Sequence, residues 1–200
     1  MNFFLPGMGA DGGMYSGPWR TIPESVFLNW PDYRGETELH EVAQRVVEEN
    51  GIADGATLIG SSLGGMIACE ITRLIRPRKL ILVGGVRHPQ EINALLQIFH
   101  PLADLTPFEF LRRVSGSVPG DLAHMFQEVD PDFVRAMCLA VFRWNGLDRN
   151  ADRPARIHGG RDLVVPLPDD VDKVLPAAGH LIAMTHGQEC VDWLQDSGLI

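Results

Sequence analysis

The sequence contains few cysteines, and none of them is arranged for a disulfide framework or a zinc site. The three in its 200 residues, Cys69, Cys138 and Cys190, are far apart, and no C-x-x-C spacing occurs. An odd number of scattered cysteines is typical of reduced thiols in a cytoplasmic protein. We therefore expect a cytoplasmic protein that contains no structural metal.

Long hydrophobic runs are also missing. No apolar run approaches the roughly 20 residues of a membrane-spanning helix. The apolar start Met1–Leu5 is interrupted at once by Pro6-Gly7, which leaves neither the basic start nor the cleavage site of a signal peptide. We expect an intact chain with no membrane partner.

Basic residues are in deficit. The sequence has 17 Lys and Arg against 26 Asp and Glu, a formal net charge of -9. Nucleic acids and anionic membrane surfaces attract clustered basic residues, so this balance disfavours both as partners. A small neutral substrate and a homo-oligomer stay open. The length and the 45% apolar fraction predict one globular domain.

Short apolar runs alternate with helical stretches along most of the chain. This rhythm predicts an α/β fold, a mostly parallel open sheet of about six strands with helices on both faces. The predicted strands are 2–5, 26–29, 56–60, 79–83, 155–158 and 172–175. Thr37 is the predicted cap of a helix that runs to Asn50, and a last helix is predicted over about 188–195.

The alternation breaks between about residues 86 and 150, where large apolar residues and prolines are frequent. We interpret this stretch as a cap insert of three or four helices, with Asp130 among the candidate helix caps. An insert after the fourth strand is expected to lie over the carboxyl ends of the strands, where open α/β sheets bind ligands. It favours an apolar substrate group, although the sequence does not say which residues line the pocket.

Gly60, Ser62 and Gly64 form the pattern G-x-S-x-G between a predicted strand and a predicted helix. This pattern is typical of a nucleophile elbow, a sharp turn that exposes a serine hydroxyl above the sheet. The pattern phases on Ser62 and not on the adjacent Ser61. Ser62 is therefore the predicted nucleophile.

The first glycine-rich loop, residues 6–13, has two interpretations. As an oxyanion loop it would present the backbone N–H of Met8, which would act together with the N–H of Leu63, the residue after the nucleophile. Gly7, Gly9 and Gly12 also spell G-x-G-x-x-G, and Asp32 follows 20 residues later, which is the outline of a dinucleotide site. Asp11 and the glycines that follow oppose a helix that could hold a pyrophosphate.

A serine nucleophile needs a base and a carboxylate that orients the base. Asp162 and His180 each follow a predicted strand, so the chain order is Ser, Asp, His. His186 is the rival base, and His158 is expected to orient the acid loop. A metal site built from His158, Asp162, His180 and His186 has no supporting spacing such as H-E-x-x-H.

Together these motifs resemble a small member of the α/β-hydrolase superfamily. The resemblance rests on Gly60–Gly64, on His158–Asp162 with Val165-Pro166, on Gly179-His180, and on Leu5–Gly9, which carries Pro6 where many members have histidine. It spans nearly the whole chain and implies one domain over 1–200. It also implies a six-stranded sheet without the first two strands of the usual one.

The predicted function is that of a serine hydrolase of the carboxylesterase or thioesterase type, acting without cofactor or metal on an apolar ester or thioester. Ser62, His180 and Asp162 would be catalytic, and Met8 and Leu63 would form the oxyanion hole. Two alternatives stay open: a non-catalytic small-molecule-binding protein of the same fold, and an NAD(P)-binding oxidoreductase.

Overall fold

Six apolar segments form one parallel sheet in the computed structural model, which describes residues 1–93 and 130–200. The sheet order is β2-β1-β3-β4-β5-β6, and every neighbouring pair runs parallel. The strands are β1 (Asn2–Leu5), β2 (Ser25–Phe27), β3 (Thr57–Ser61), β4 (Lys79–Val83), β5 (Ala155–Gly159) and β6 (Lys173–Leu175). This architecture confirms the predicted fold class, and each strand end lies within two residues of its prediction.

The described helices connect these strands or follow them. They are α1 (Leu39–Asn50), α2 (Leu63–Ile71), α3 (Pro131–Arg143), α4 (Ile182–Thr185) and α5 (Gly187–Asp196), with short 3-10 helices at Gly12–Met14, Gly17–Thr21 and Pro89–Glu91. None of the helices in the described part of the chain combines the length and the apolarity needed to cross a lipid bilayer.

Helix α1 begins one residue later than predicted, because Glu38 and not Thr37 is its N-cap. The Glu41 carboxylate accepts the N–H groups of both Thr37 and Glu38, at 2.7 and 3.0 Å. The Glu38 side chain in turn accepts the backbone N–H of Glu41, so the two glutamates form a capping box. Gly51 ends the helix in the left-handed conformation, with φ 62°.

The described part of the predicted insert contains helix α3. Asp130 caps this helix by accepting the N–H of Asp132 at 2.8 Å, and Pro131 occupies the first helical position. Most of the predicted cap falls on residues 94–129 and lies outside the described residues. The single domain over 1–200 and the insert bounds of 86–150 therefore stay predictions.

Alternate residues of the strands pack against opposite layers, as the two-residue period of a strand requires. Phe3, Leu58 and Leu82 belong to the core under α1, α2 and α3. Phe4, Ile59 and Ile81 belong to the other core, which contains Trp19 and the buried residues of α5. Both faces of the sheet are covered, which is why the strands read as nearly continuous apolar runs.

The strand register aligns the carboxyl ends of the strands. Leu5 pairs with Gly60 and Ser61 pairs with Val83, while Gly159 pairs with Leu175 at the end of β5 and β6. The loops after β1, β3, β5 and β6 therefore leave from the same edge of the sheet. These four loops, together with the first residue of α2, contain all of the predicted site residues: Met8, Ser62, Leu63, Asp162 and His180.

Candidate active site

Ser62 occupies a sharp turn between β3 and α2, with φ 52° and ψ -118°. This is an unfavourable conformation for a residue with a side chain. The flanking glycines permit the turn, since a Cβ on Gly60 would lie 2.3 Å from the Gly64 carbonyl oxygen. The chain can therefore pass directly from strand to helix only with Gly60 at this position.

The side chains of Ser62, His180 and Asp162 form a continuous hydrogen-bonded relay. The distance from His180 Nε2 to Ser62 Oγ is 2.9 Å, and that from His180 Nδ1 to Asp162 Oδ2 is 2.8 Å. A carboxylate can only accept, so Nδ1 carries the proton and Nε2 is free to accept the serine hydroxyl. This is the arrangement in which an imidazole can remove a proton from serine.

The relay is buried at its acid end and opens toward solvent at Ser62. The Asp162 side chain is fully buried and that of His180 is 3% exposed, whereas Ser62 is half-buried. Asp162 Oδ1 accepts the N–H groups of Val164 and Val165, at 2.8 and 2.9 Å. Its other oxygen is thereby turned toward His180.

The acid loop and the histidine loop are brought together by close backbone approach. A Cβ on Gly159 would lie 2.3 Å from the Gly179 carbonyl oxygen, so only glycine fits there. The N–H of Arg161 donates to the Ala178 carbonyl at 2.9 Å. The first of these contacts explains the glycine at position 159.

His158 lies behind Asp162 and not against Ser62. Its Nε2 lies 2.9 Å from the Val165 carbonyl oxygen, to which it donates, and 3.4 Å from Asp162 Oδ2. Burial lowers the pKa of His158 below its ordinary value, although the Val165 carbonyl and Asp162 act in the other direction. A neutral His158 thus ties the acid loop to β5, as predicted from the sequence.

The lowered pKa of His158 predicts a pH-dependent stability. Below about pH 6.5 the unfolded chain takes up a proton at this position before the folded one does. We expect the free energy of unfolding to fall as the pH drops through 6.5 toward the lower folded pKa, and His158→Gln to weaken this dependence. Urea unfolding at pH 7.5 and 5.0 measures it, with His40→Gln, at the 42% exposed His40, as the matched control. Equal pH dependence in the parent and His158→Gln would contradict the prediction.

The rival base His186 does not take part in this relay. Its Nδ1 lies 2.8 Å from the Thr185 hydroxyl, at the end of α4. Among residues 1–93 and 130–200, no group of three or more His, Cys, Asp or Glu side chains is arranged to hold a metal ion. The position beside Ser62 is taken by His180.

Leu63 and Met8 are the predicted oxyanion donors, and their N–H groups are available. Leu63 is the first residue of α2, and the N–H groups of Gly65 and Met66 donate to the Ser62 carbonyl. Within the described part of the chain, no acceptor is found for the N–H of Leu63 or of Met8. The amino end of α2 also carries the positive end of the helix dipole, which favours a developing anion.

The loop after β1 runs beside Ser62. A Cβ on Gly7 would lie 3.8 Å from Ser62 Cβ, an ordinary contact distance. Packing therefore does not require glycine at position 7. Because Gly7 has no side chain, space is left next to Ser62.

The same loop does not have the shape of a dinucleotide cradle. Gly12 opens a three-residue 3-10 helix instead of an α-helix, and Asp11 caps it. A Cβ on Gly12 would lie 2.9 Å from the Phe27 carbonyl oxygen, so packing against β2 accounts for this glycine. Asp32 is exposed on the surface. The last glycine of the G-x-G-x-x-G pattern is thus explained without a pyrophosphate.

Two tryptophans support the site through contacts that the sequence did not predict. Trp19 donates from Nε1 to the Ala183 carbonyl at 2.7 Å, which anchors the helix that follows His180. Trp30 donates from Nε1 to the Gly7 carbonyl at 3.2 Å. No local pattern marks either residue, because the partners are 164 and 23 positions away.

A cleft of about 860 Å³ opens at the opposite end of the sheet, where β4 and β5 begin. Lys79, Ala155 and Asp172 are among its lining residues. Five residues of β4 span about 16 Å, which separates this cleft from the relay. It cannot hold a molecule that reacts with Ser62.

The sequence model of the alpha/beta hydrolase family matches residues 3–193 of the chain. A search of curated proteins found no match. The matched range contains Ser62, Asp162 and His180 of the relay as well as Met8 and Leu63, the predicted oxyanion donors.

Three solved structures illustrate the structural similarity. A thermophilic esterase from Thermogutta terrifontis is 16% identical, with a TM-score of 0.69 over 98% of this chain and 88% of that one. The N-acyl homoserine lactonase AidH, complexed with N-butanoyl homoserine, is 16% identical, with a TM-score of 0.72 over 98% and 87%. The RedJ thioesterase of prodiginine biosynthesis in Streptomyces coelicolor is 18% identical, with a TM-score of 0.68 over 96% and 88%. At these identities the similarity establishes the fold.

Proposed function

Because the chain belongs to the alpha/beta hydrolase family, we propose that it is a serine hydrolase that cleaves an ester or thioester of a small or medium apolar acyl group. One observation carries the proposal. Ser62 Oγ lies 2.9 Å from His180 Nε2, and the opposite ring nitrogen lies 2.8 Å from Asp162. A hydroxyl, a base and an orienting carboxylate are the minimum set for acyl transfer through a serine.

In the acylation half, Ser62 Oγ attacks the substrate carbonyl carbon while its proton passes to His180 Nε2. The carbonyl π electrons move to oxygen, and the N–H groups of Met8 and Leu63 donate to that oxyanion. Asp162 stabilises the imidazolium. When the tetrahedral intermediate collapses, the alcohol or thiol leaves with the proton from His180 and Ser62 holds the acyl group.

In the deacylation half, water takes the place of the alcohol. His180 removes a proton from the water as the water oxygen attacks the acyl carbon. When this second tetrahedral intermediate collapses, the bond between the acyl carbon and Ser62 Oγ breaks and His180 returns the proton to Ser62 Oγ. The products are a carboxylic acid and an alcohol or thiol. Water is the only co-reactant in this sequence, and no step requires a metal or a cofactor.

Apolar side chains near the first loop support an apolar acyl group. The Met8 sulfur lies 3.5 Å from the Cys138 sulfur on α3, and Trp30 packs against Phe133 of the same helix. The esterase, lactonase and thioesterase of similar fold are named for reactions at ester, lactone and thioester carbonyls, which supports the same reaction class here. The three free cysteines support a reducing, cytoplasmic location.

Labelling with a fluorophosphonate tests the nucleophile directly. We expect one phosphonate per chain on the peptide that contains Ser62, as measured by mass spectrometry. Ser61→Ala is the matched control, because Ser61 is the adjacent buried serine at the end of β3. Label should be retained in Ser61→Ala and lost in Ser62→Ala.

Turnover of p-nitrophenyl esters from acetate to octanoate, run beside acyl-CoA thioesters of equal chain length, then assigns the substrate class. Hydrolysis that Ser62→Ala abolishes supports the proposal. A folded parent protein that neither takes the label nor turns over any member of the panel would instead favour the non-catalytic binding protein.

A further inference from the structure

We infer that Trp30 is a positioning residue for the oxyanion hole, acting through the peptide bond between Gly7 and Met8. The inference rests on the proposed function, since it concerns how the N–H of Met8 is aimed at the substrate. Trp30 lies three residues beyond the end of β2, outside every motif of the site.

The Gly7 carbonyl oxygen accepts hydrogen bonds from two donors. Trp30 Nε1 and the N–H of Ala10 both donate to it, each at 3.2 Å. The N–H of Gly7 lies 3.1 Å from the sulfur of Met14, which restrains the preceding peptide as well. All described peptide bonds are trans. In a trans peptide the N–H points opposite to the C=O, so the N–H of Met8 points away from Trp30 and Ala10.

These contacts have two consequences for the Met8 N–H. They restrict rotation of the peptide, so the donor is oriented before the substrate binds and need not reorganise in the reaction. They also polarise the amide, because a hydrogen bond accepted at the carbonyl strengthens the N–H donor of the same unit by roughly 10–30%. Both effects act on the charge that develops in the transition state and not on ground-state binding.

Trp30 itself packs against Phe133, which also contacts Tyr33. Its ring centroid lies 5.5 Å from that of Phe133 on α3, and the Tyr33 ring lies 6.2 Å from Phe133. The side chain of Met8 also reaches α3, through its contact with Cys138. The indole N–H is thus fixed by the same helix that contacts the loop it restrains.

The test compares Trp30→Phe with Tyr33→Phe in the full chain. Trp30→Phe keeps a ring against Phe133 and removes the N–H, whereas Tyr33→Phe removes a polar group from the same aromatic cluster without touching Gly7. The measurements are kcat and KM for p-nitrophenyl butyrate, and the inhibition constant of 1,1,1-trifluoro-2-heptanone, which forms an oxyanion-bearing adduct with a reactive serine.

Loss of a whole oxyanion donor reduces kcat by about 10²- to 10³-fold, so a donor that is present but poorly oriented should reduce kcat by about tenfold. We expect Trp30→Phe to lower kcat by about tenfold and to raise the inhibition constant of the trifluoroketone by the same factor, whereas KM should stay within about twofold of the parent value. Tyr33→Phe should match the parent in all three. Trp30→His, which restores a ring N–H, should recover part of the loss.

Equal kcat in Trp30→Phe and the parent would overturn the inference, as would a fall in kcat with unchanged trifluoroketone inhibition. If Trp30→Phe does not fold, Trp30→His and Trp30→Leu replace it as the pair with and without the N–H, and equal activity of that pair overturns the inference. A parent protein without Ser62-dependent hydrolysis overturns both proposals, whereas an active parent with an unimpaired Trp30→Phe overturns this one alone.

Discussion

Replacing Ser62 with glycine is expected to abolish ester hydrolysis and to leave the protein more stable than Ser62→Ala. Loss of a serine nucleophile lowers kcat by a factor on the order of 10⁴ to 10⁶, and both variants should show this loss. Their stabilities should differ because of the backbone at residue 62. With φ 52° and ψ -118°, alanine keeps the strain and glycine relieves it.

The expected difference in the free energy of unfolding is about 1 kcal/mol in favour of glycine. Relief of backbone strain contributes about 1–3 kcal/mol, and the greater freedom of glycine in the unfolded chain offsets about 0.5–1 kcal/mol. Both variants lose the same hydrogen bond to His180, so that bond cancels in the comparison.

Urea unfolding of the two variants measures this difference. Ser61 supplies a control of opposite sign, because it lies in β3, where glycine should be less stable than alanine. If the variants at position 62 follow the same stability order as those at position 61, the backbone strain at residue 62 has no energetic consequence. Residual Ser62-independent turnover above about one part in 10³ would contradict the nucleophile assignment.

Replacing Gly64 with alanine is expected to destabilise the protein by about 3 kcal/mol or more and to remove activity with it. A Cβ at this position would lie 2.3 Å from the Leu5 carbonyl oxygen and 2.4 Å from that of Pro6. Both contacts are to backbone atoms, which cannot move aside as a side chain can. Helix propensity alone would favour alanine by about 1 kcal/mol, so the steric effect decides the sign.

Gly65→Ala is the matched control in the same helix. The nearest atoms to a Cβ there are Leu82 Cδ2 at 3.2 Å and the Gly60 carbonyl oxygen at 3.3 Å, about 1 Å farther away than the backbone oxygens that a Cβ on Gly64 would meet. We expect a change of less than about 1 kcal/mol for this variant. Denaturant unfolding of both proteins tests the contrast, and comparable stability of Gly64→Ala and Gly65→Ala would show that β1 and α2 are not packed as closely as described.

Much of the fold could be predicted because its signals are local. The strands are apolar runs of three to five residues, and the apolar residues of the helices recur about every 3.6 residues. Both patterns can be recognised in a short stretch of sequence. The elbow was predictable for the same reason: strand, turn and helix meet within residues 57–71, and Gly60 is required by a contact inside that unit. The N-cap of α1 was misplaced by one residue because Glu38, a residue without a hydroxyl, occupies the capping position.

The amino-acid sequence by itself determined a parallel sheet, a serine on a strained turn, and loops that carry an aspartate and a histidine in the expected order. Only the tertiary structure decided that His180 and not His186 meets Ser62, that His158 stands behind the acid, and that Trp19 and Trp30 hold the loops in place. The physical reason is chain separation. Ser62 and His180 are 118 residues apart, and the strand register that brings their loops to one edge exists only once the whole sheet has formed.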